Sequence, residues 1–169
     1  MPGEGRCLLL MDEKSRQPQR VDDVIDRYTG SSRAVLEYTR TVKRLADSVK
    51  RPGFDGWAPL AELVATDEFE RVGNFKEVMN WAEYVSFLTN WAASSEWDAS
   101  FKRISEVDGM VFLELEERSR VGDFQSVVNS ISVYEFDDLG RICHIDLYLQ
   151  MALPDPDLLK GFEGVEISE

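Results

Sequence analysis

A chain of 169 residues suits one domain able to bury about 70% of its unfolded surface in a single core, so neither disulfides nor a metal is needed to hold it. Thirty-two acids against nineteen bases leave a net charge of -13, which repels a phosphate backbone or an anionic membrane surface and argues against both as partners. With 43% hydrophobic and 11% aromatic residues, the composition is that of a packed globular protein.

The first apolar run, "CLLLM" at 7–11, is too short for a signal core or a membrane span, and Met11 is a second candidate start. Cys7 lies far from Cys143, which sits in a strand-like run, so no disulfide framework is expected and a reduced cytoplasm is the expected setting. Residues 12–30 are polar and aperiodic, which reads as a mobile arm or an extended lead-in, and residues 1–30 are set apart as an N-terminal arm.

From 32 to 50, Val35, Tyr38, Val42, Leu45 and Val49 recur at three- and four-residue steps until "RPG" stops the run, which predicts an amphipathic helix. "DGWAPLAELV" predicts a short second helix, and "EFERVG" a brief strand closed by Gly73. Asn74 and Glu77 stand at capping-box spacing before Val78, Trp81, Ala82, Val85, Leu88 and Ala92, predicting a third helix that ends near Ser94 and Ser95. The period then changes from 3.6 to 2, and turns at "VDGM", "VGDF" and "DDLG" cut the rest into a four-stranded antiparallel meander. Helices first and a meander second predict an α+β domain over 31–152, with 153–169 as a tail lying over the surface.

If Asp108-Gly109 and Gly122-Asp123 are two-residue turns, Leu113 faces Ser132, Leu115 faces Ser130 and Glu117 faces Val128. Pairing Phe136 with Arg141 across the last turn then puts Tyr134 beside Cys143, Ser132 beside Ile145 and Ser130 beside Leu147. One face becomes apolar and must lie under the helices. The other carries Glu114, Glu116, Arg118, Asn129, His144, Asp146, Tyr148 and Gln150, with Arg103 placed to pair with Glu114 across strands. Glu117 is the lone acid on the apolar face: a solvated rim glutamate if it reaches the edge, a candidate general base if the face closes over a pocket.

The order of helices and meander, with "EFERVGNFKEVMNWAEYVSFLTNWA" and "FDDLGRICHIDLYLQ", resembles the nuclear transport factor 2-like superfamily, which includes SnoaL-like polyketide cyclases, ketosteroid isomerases and limonene epoxide hydrolases. The resemblance covers roughly residues 32–151. It implies a cone-shaped, cystatin-like α+β fold, three N-terminal helices on a curved, mostly antiparallel sheet enclosing a pocket, and frequent dimers through the outer sheet face. Matched to the epoxide hydrolases, Leu115 falls at their arginine, Glu117 at their first aspartate and Leu147 at their second, so one of three positions carries an acid. Matched to the isomerases, their base falls near Arg71 and their acid at Ser132.

The expected catalytic set is therefore Glu117 as base, with Arg71 or Tyr134 stabilising an anion. Ser130, Ser132, Leu115, Leu147, Ile145 and Trp81 are the expected ligand-binding residues. Trp57, Trp91, Trp97, Tyr84 and Phe87 are further aromatics for a cavity wall, although Trp81 belongs first to the helix stripe. His144 is the only histidine and falls on the outer face, so no metal is expected. No Walker loop, GxGxxG, GxSxG or CxxC occurs, and no cofactor is expected. Two functions remain open: a small lipophilic ligand handled by isomerase, cyclase or epoxide-opening chemistry, or a non-catalytic ligand-binding or dimerisation module.

Overall fold

The computed structural model describes residues 18–152. The expected tail at 153–169 and "CLLLM" with Cys7 lie outside the described residues. Four helices, α1 (Val21–Val24), α2 (Gly30–Ala46), α3 (Ala58–Ala61) and α4 (Trp81–Ser94), accompany six strands, β1 (Glu70–Val72), β2 (Val78–Asn80), β3 (Glu96–Val107), β4 (Met110–Val121), β5 (Phe124–Phe136) and β6 (Ile142–Gln150). The strands form one sheet in the order β2-β1-β6-β5-β4-β3, antiparallel throughout except for the β1–β6 pair. This is the expected α+β arrangement of N-terminal helices and a mostly antiparallel sheet.

The N-terminal lead-in is built into the core over part of its length. Residues 21–27 make two helical turns, and Val21, Val24 and Ile25 are buried despite the aspartates between them. Helix α2 buries Val35, Leu36, Tyr38, Thr39, Val42 and Leu45, a stripe at helical spacing that faces the sheet. It ends at Ala46, so Val49 packs from the following turn and is only partly buried.

The capping box expected at Asn74 and Glu77 lies six residues later. Asn80 Oδ1 accepts the Glu83 amide at 3.0 Å, and Glu83 Oε2 accepts the Asn80 amide at 2.9 Å. Helix α4 therefore starts at Trp81, and Val78 belongs to β2, where it is exposed. The later start turns the buried stripe onto Tyr84, Leu88 and Ala92. Asn74 and Glu77 serve the loop instead: Asn74 Oδ1 accepts the Leu149 amide at 3.0 Å and Glu77 Oε2 the Phe75 amide at 2.9 Å. Asn80→Ala should lower stability by about 1 kcal/mol, measured by urea denaturation, whereas Asn74→Ala leaves the helix start intact.

Both predicted two-residue turns are present. Asp108 (φ 51°) and Gly109 (φ 79°) are left-handed as a type I′ turn requires, and Gly122 (φ 59°) occupies the position that needs glycine in II′. Leu113 pairs with Ser132, Leu115 with Ser130 and Glu117 with Val128, as expected. The last hairpin differs. Asp137 Oδ1 accepts the amides of both Leu139 and Arg141, which lengthens the turn, and Phe136 pairs with Ile142. The ladder then skips Cys143 in a bulge, so Tyr134 faces Ile145, Ser132 faces Leu147 and Ser130 faces Leu149. Ile142, not Cys143, takes the core position, locked by hydrogen bonds to the Leu63 carbonyl and from the Ala65 amide. Cys143 is half-buried, and burial pushes its thiol up from the ordinary range. A second bulge at Lys102 lets Trp97, Ala99 and Phe101, then Ile104 and Glu106, share the helix-facing side of β3.

Candidate functional site

The concave face of β4 and β5 brings Leu115, Glu117, Ser130, Ser132 and Tyr134 together, with Ile145 and Leu147 beside them on β6. Leu115, Ile145, Tyr134 and Ser130 are buried and Leu147 is half-buried. Strand alternation alone delivers this set. Glu117 is half-buried, and its Oε2 accepts a 2.7 Å hydrogen bond from the Trp97 indole Nε1. Trp97 is held in turn by Trp91 of α4 across a 5.7 Å edge contact.

Arg71 comes from β1, where its pairing with Ile145 of β6 sets it on the same interior. It is 7% exposed. Its guanidinium carbon lies 5.3 Å from the Tyr84 ring centre and 5.4 Å from that of Phe87, both within cation–π range. Its charge is answered by Glu77, 3.6 Å from Nη1, and no ion pair joins it to Glu117. At that distance Nη1 makes no hydrogen bond with any described residue, and neither does Ser130 Oγ, whose residue is 1% exposed. Two buried polar atoms on the interior thus lack partners, a costly arrangement that native proteins mostly avoid.

Three phenols complete the cluster. The Tyr38 hydroxyl of α2 donates to the Tyr84 hydroxyl of α4 at 2.8 Å, leaving the Tyr84 proton to donate onward. Burial pushes all three phenols, Tyr38, Tyr84 and Tyr134, above their ordinary value. Arg71 pulls back on Tyr84, while the charge of Glu117 adds to the rise at Tyr84 and Tyr134. Ser132 and Thr39, near the Tyr134 hydroxyl, offset part of its rise. All three therefore stay protonated at neutral pH, each with an O–H to donate.

A raised phenol favours folding below its unfolded value near 10, and that contribution is lost as pH rises through the folded value. Stability should accordingly fall steeply above about pH 10. Tyrosinate absorbance at 295 nm should show three of the five tyrosines ionising only within the unfolding transition.

Trp81 borders this set at the start of α4, edge-on to Tyr84 at 6.3 Å and to Phe69 at 5.4 Å, whereas Trp57 is tied away by its indole hydrogen bond to Thr89 at 2.9 Å. The Tyr38–Tyr84 hydrogen bond is a feature of this interior that sequence reasoning missed, because Tyr38 reads only as part of a helix stripe. The outer face carries Arg103 paired with Glu114 as expected, and His144 between Glu70 at 3.4 Å and Asp146 at 3.2 Å. Among the described residues, no group of three or more acids, histidines or cysteines is placed to hold a metal, and no helix is long and apolar enough to cross a membrane.

No protein-family model matches the chain, and no curated protein matches it. Solved structures do match. An NTF2-like protein of unknown function from Cytophaga hutchinsonii is 12% identical, with a TM-score of 0.52 over 79% of this chain and 96% of that one. BvnE pinacolase from Penicillium brevicompactum is 10% identical, with a TM-score of 0.57 over 79% and 91%. The epoxide hydrolase/cyclase-like enzyme SalBIII, of pyran ring formation in the polyether salinomycin, is 16% identical, with a TM-score of 0.57 over 72% and 91%. The chain has the nuclear transport factor 2-like fold, shared with isomerases, cyclases and epoxide hydrolases.

Proposed function

We propose that the chain binds a small, largely apolar molecule carrying one carbonyl-type oxygen on its concave face and moves a proton on it. The observation that carries this reading is the pair of partnerless buried atoms, Arg71 Nη1 and Ser130 Oγ, on the interior that also holds Glu117. A guest oxygen would satisfy the donors Arg71 and Tyr84, while Leu115, Leu147, Ile145 and Phe87 cover its apolar body.

In this reading Glu117 takes a proton from the carbon beside the carbonyl, and the electron pair moves onto oxygen. Tyr84 and Arg71 stabilise the oxyanion, with Tyr38 behind Tyr84 and Tyr134 closing the wall. Return of the proton from Glu117 to a different carbon completes an isomerisation. Attack of the enolate on a second carbon of the same molecule, with the proton passed to the oxygen released there, completes a cyclisation. In both cases Glu117 is the one side chain that carries the proton, from one atom of the guest to another.

A second reading, a dimerisation module, is favoured by the outer sheet face, where Val127, Ile131 and Tyr148 are exposed. The proposed homodimer would use that face. Leu115 and Leu147, apolar where the epoxide hydrolases carry an arginine and an aspartate, also suit this reading.

A thermal-shift screen against enones, terpenoid epoxides and aromatic polyketide fragments separates the two. A ligand at about a hundredfold its Kd adds roughly 2.7 kcal/mol, on the order of 5 °C for a domain of this size. A hit that Arg71→Met abolishes supports the ligand reading. A flat response across the panel, with a concentration-dependent dimer, supports the module.

A further inference from the structure

The loop between β1 and β2 is built around one side chain. The Gly73 amide donates to the Glu77 carbonyl at 2.8 Å, and the Gly73 carbonyl accepts the Lys76 amide at 2.9 Å, with Lys76 left-handed at φ 61°. Asn74 ties the same loop to β6 through the Leu149 amide. The Glu77 side chain folds back over Gly73, so that a Cβ on residue 73 would land on its carboxylate. Gly73 is buried and its φ is not positive, so the glycine matters here for the room it leaves and not for its backbone.

That seat puts Glu77 Oε1 3.6 Å from Arg71 Nη1, while Oε2 accepts the Phe75 amide at 2.9 Å. Held this way, Glu77 answers the charge of Arg71 without taking a hydrogen bond from Nη1, which stays available as a donor. Besides Arg71, the charge felt at the Tyr84 hydroxyl is that of Glu117. A guest oxygen at Arg71 and Tyr84 therefore meets one positive and two negative charges, a net of one negative. In the proposed reaction that sum does not change, because Glu117 loses its charge to the incoming proton as the guest oxygen gains one. A guest that arrives as an anion adds a second negative charge with nothing to answer it, in a buried site where charges are weakly screened.

We infer that Glu77, seated on Gly73, is a specificity-determining residue that makes the concave face accept neutral carbonyl compounds and reject the corresponding carboxylates. The inference rests on the concave-face reading and narrows its substrate class. A buried arginine with no counter-ion favours a carboxylate, whose two oxygens match its fork and whose charge matches its own. With Glu77 in place the charge is already matched and only the N–H is on offer, which a ketone or aldehyde oxygen can take. The rejection is thus built from a repulsive charge beside an attractive donor.

The test is displacement of the neutral fluorescent probe N-phenyl-1-naphthylamine by two compounds of nearly the same shape, 2-acetylnaphthalene and 2-naphthoate, at neutral pH. Each is titrated into the full chain and into Glu77→Gln, Gly73→Ala and Arg71→Met. Glu77→Gln removes the charge, and Gly73→Ala keeps it but pushes it off its seat, so the two reach the same end by different routes. In the unaltered chain the ketone should bind at least about tenfold tighter than the carboxylate. In both Glu77→Gln and Gly73→Ala the carboxylate should gain about tenfold while the ketone stays within about threefold. A carboxylate as tight as the ketone in the unaltered chain, or a gap that both variants leave unchanged, overturns the role of Glu77; if Arg71→Met still weakens the ketone, the concave-face reading stands. Displacement by neither compound, or ketone binding that Arg71→Met does not alter, overturns the concave-face reading and this inference with it.

Discussion

Glu117→Gln is expected to lower kcat for any proton transfer hosted by the concave face by about 10²–10⁴-fold, the usual range for losing a positioned general base. The amide keeps an oxygen to accept the Trp97 indole proton, so the wall that positions residue 117 should survive the change. Ligand affinity should stay within about threefold and Tm within about 2 °C, because no buried group loses its partner. Steady-state kinetics on a ligand from the screen, with Tm on the same preparations, checks all three. An unchanged kcat would move the base elsewhere on the face.

Arg71→Met is expected to separate function from stability. Methionine matches the length of the arginine stem and fills the space among Tyr84, Phe87 and Ile145 without a charge. Replacing a buried ion by an apolar side chain of similar volume is commonly neutral or stabilising by about 1–4 kcal/mol, and Glu77, 36% exposed at its side chain, can turn to water. Catalysis should nonetheless fall by about 10²–10³-fold, as when one oxyanion donor is removed. Glu77→Gln should do the reverse. It strips the counter-charge from a buried guanidinium, discounted because Glu77 is partly solvated, and should cost about 1–2 kcal/mol with catalysis largely kept. Urea melts of the two variants beside their kcat values show whether stability and function divide this way. A destabilised Arg71→Met with full activity would make Arg71 a structural residue.

The sheet was legible wherever turn chemistry fixed the register. Asp108-Gly109 and Gly122-Asp123 each admit one short turn geometry, and from them strand alternation carried Glu117, Ser130 and Ser132 to one face. "DDLG" was not so restricted. Asp137 captures two amides, and contacts with Leu63 and Ala65, some eighty residues upstream, pull Ile142 inward, which no local pattern records. Asn74 and Glu77 had capping-box spacing without the function, because residues 78–80 pair with β1 before the helix begins. Burial of Val21, Val24 and Ile25 was hidden by the polar residues around them.

Within the site, Glu117 could be proposed from strand register, and Arg71 from the resemblance to the ketosteroid isomerases. The Tyr38–Tyr84 hydrogen bond joins two helices 46 residues apart, and helical periodicity names a buried stripe without saying which stripes meet. The Trp97–Glu117 bond was nearer to legible, since Trp97 and Glu117 lie close across adjacent strands.

The most direct measurement is a ¹H–¹⁵N spectrum of the four tryptophan indoles during titration with N-phenyl-1-naphthylamine, repeated in Glu117→Gln. The Trp97 cross-peak should move both on substitution and on saturation with the probe, while the Trp57 peak, held by Thr89 on the far side of α4 from Arg71's partners, stays in place. A probe that binds and raises Tm while leaving the Trp97 peak fixed would place binding away from the concave face and contradict the assignment of Glu117, Arg71 and Tyr84 as its working groups.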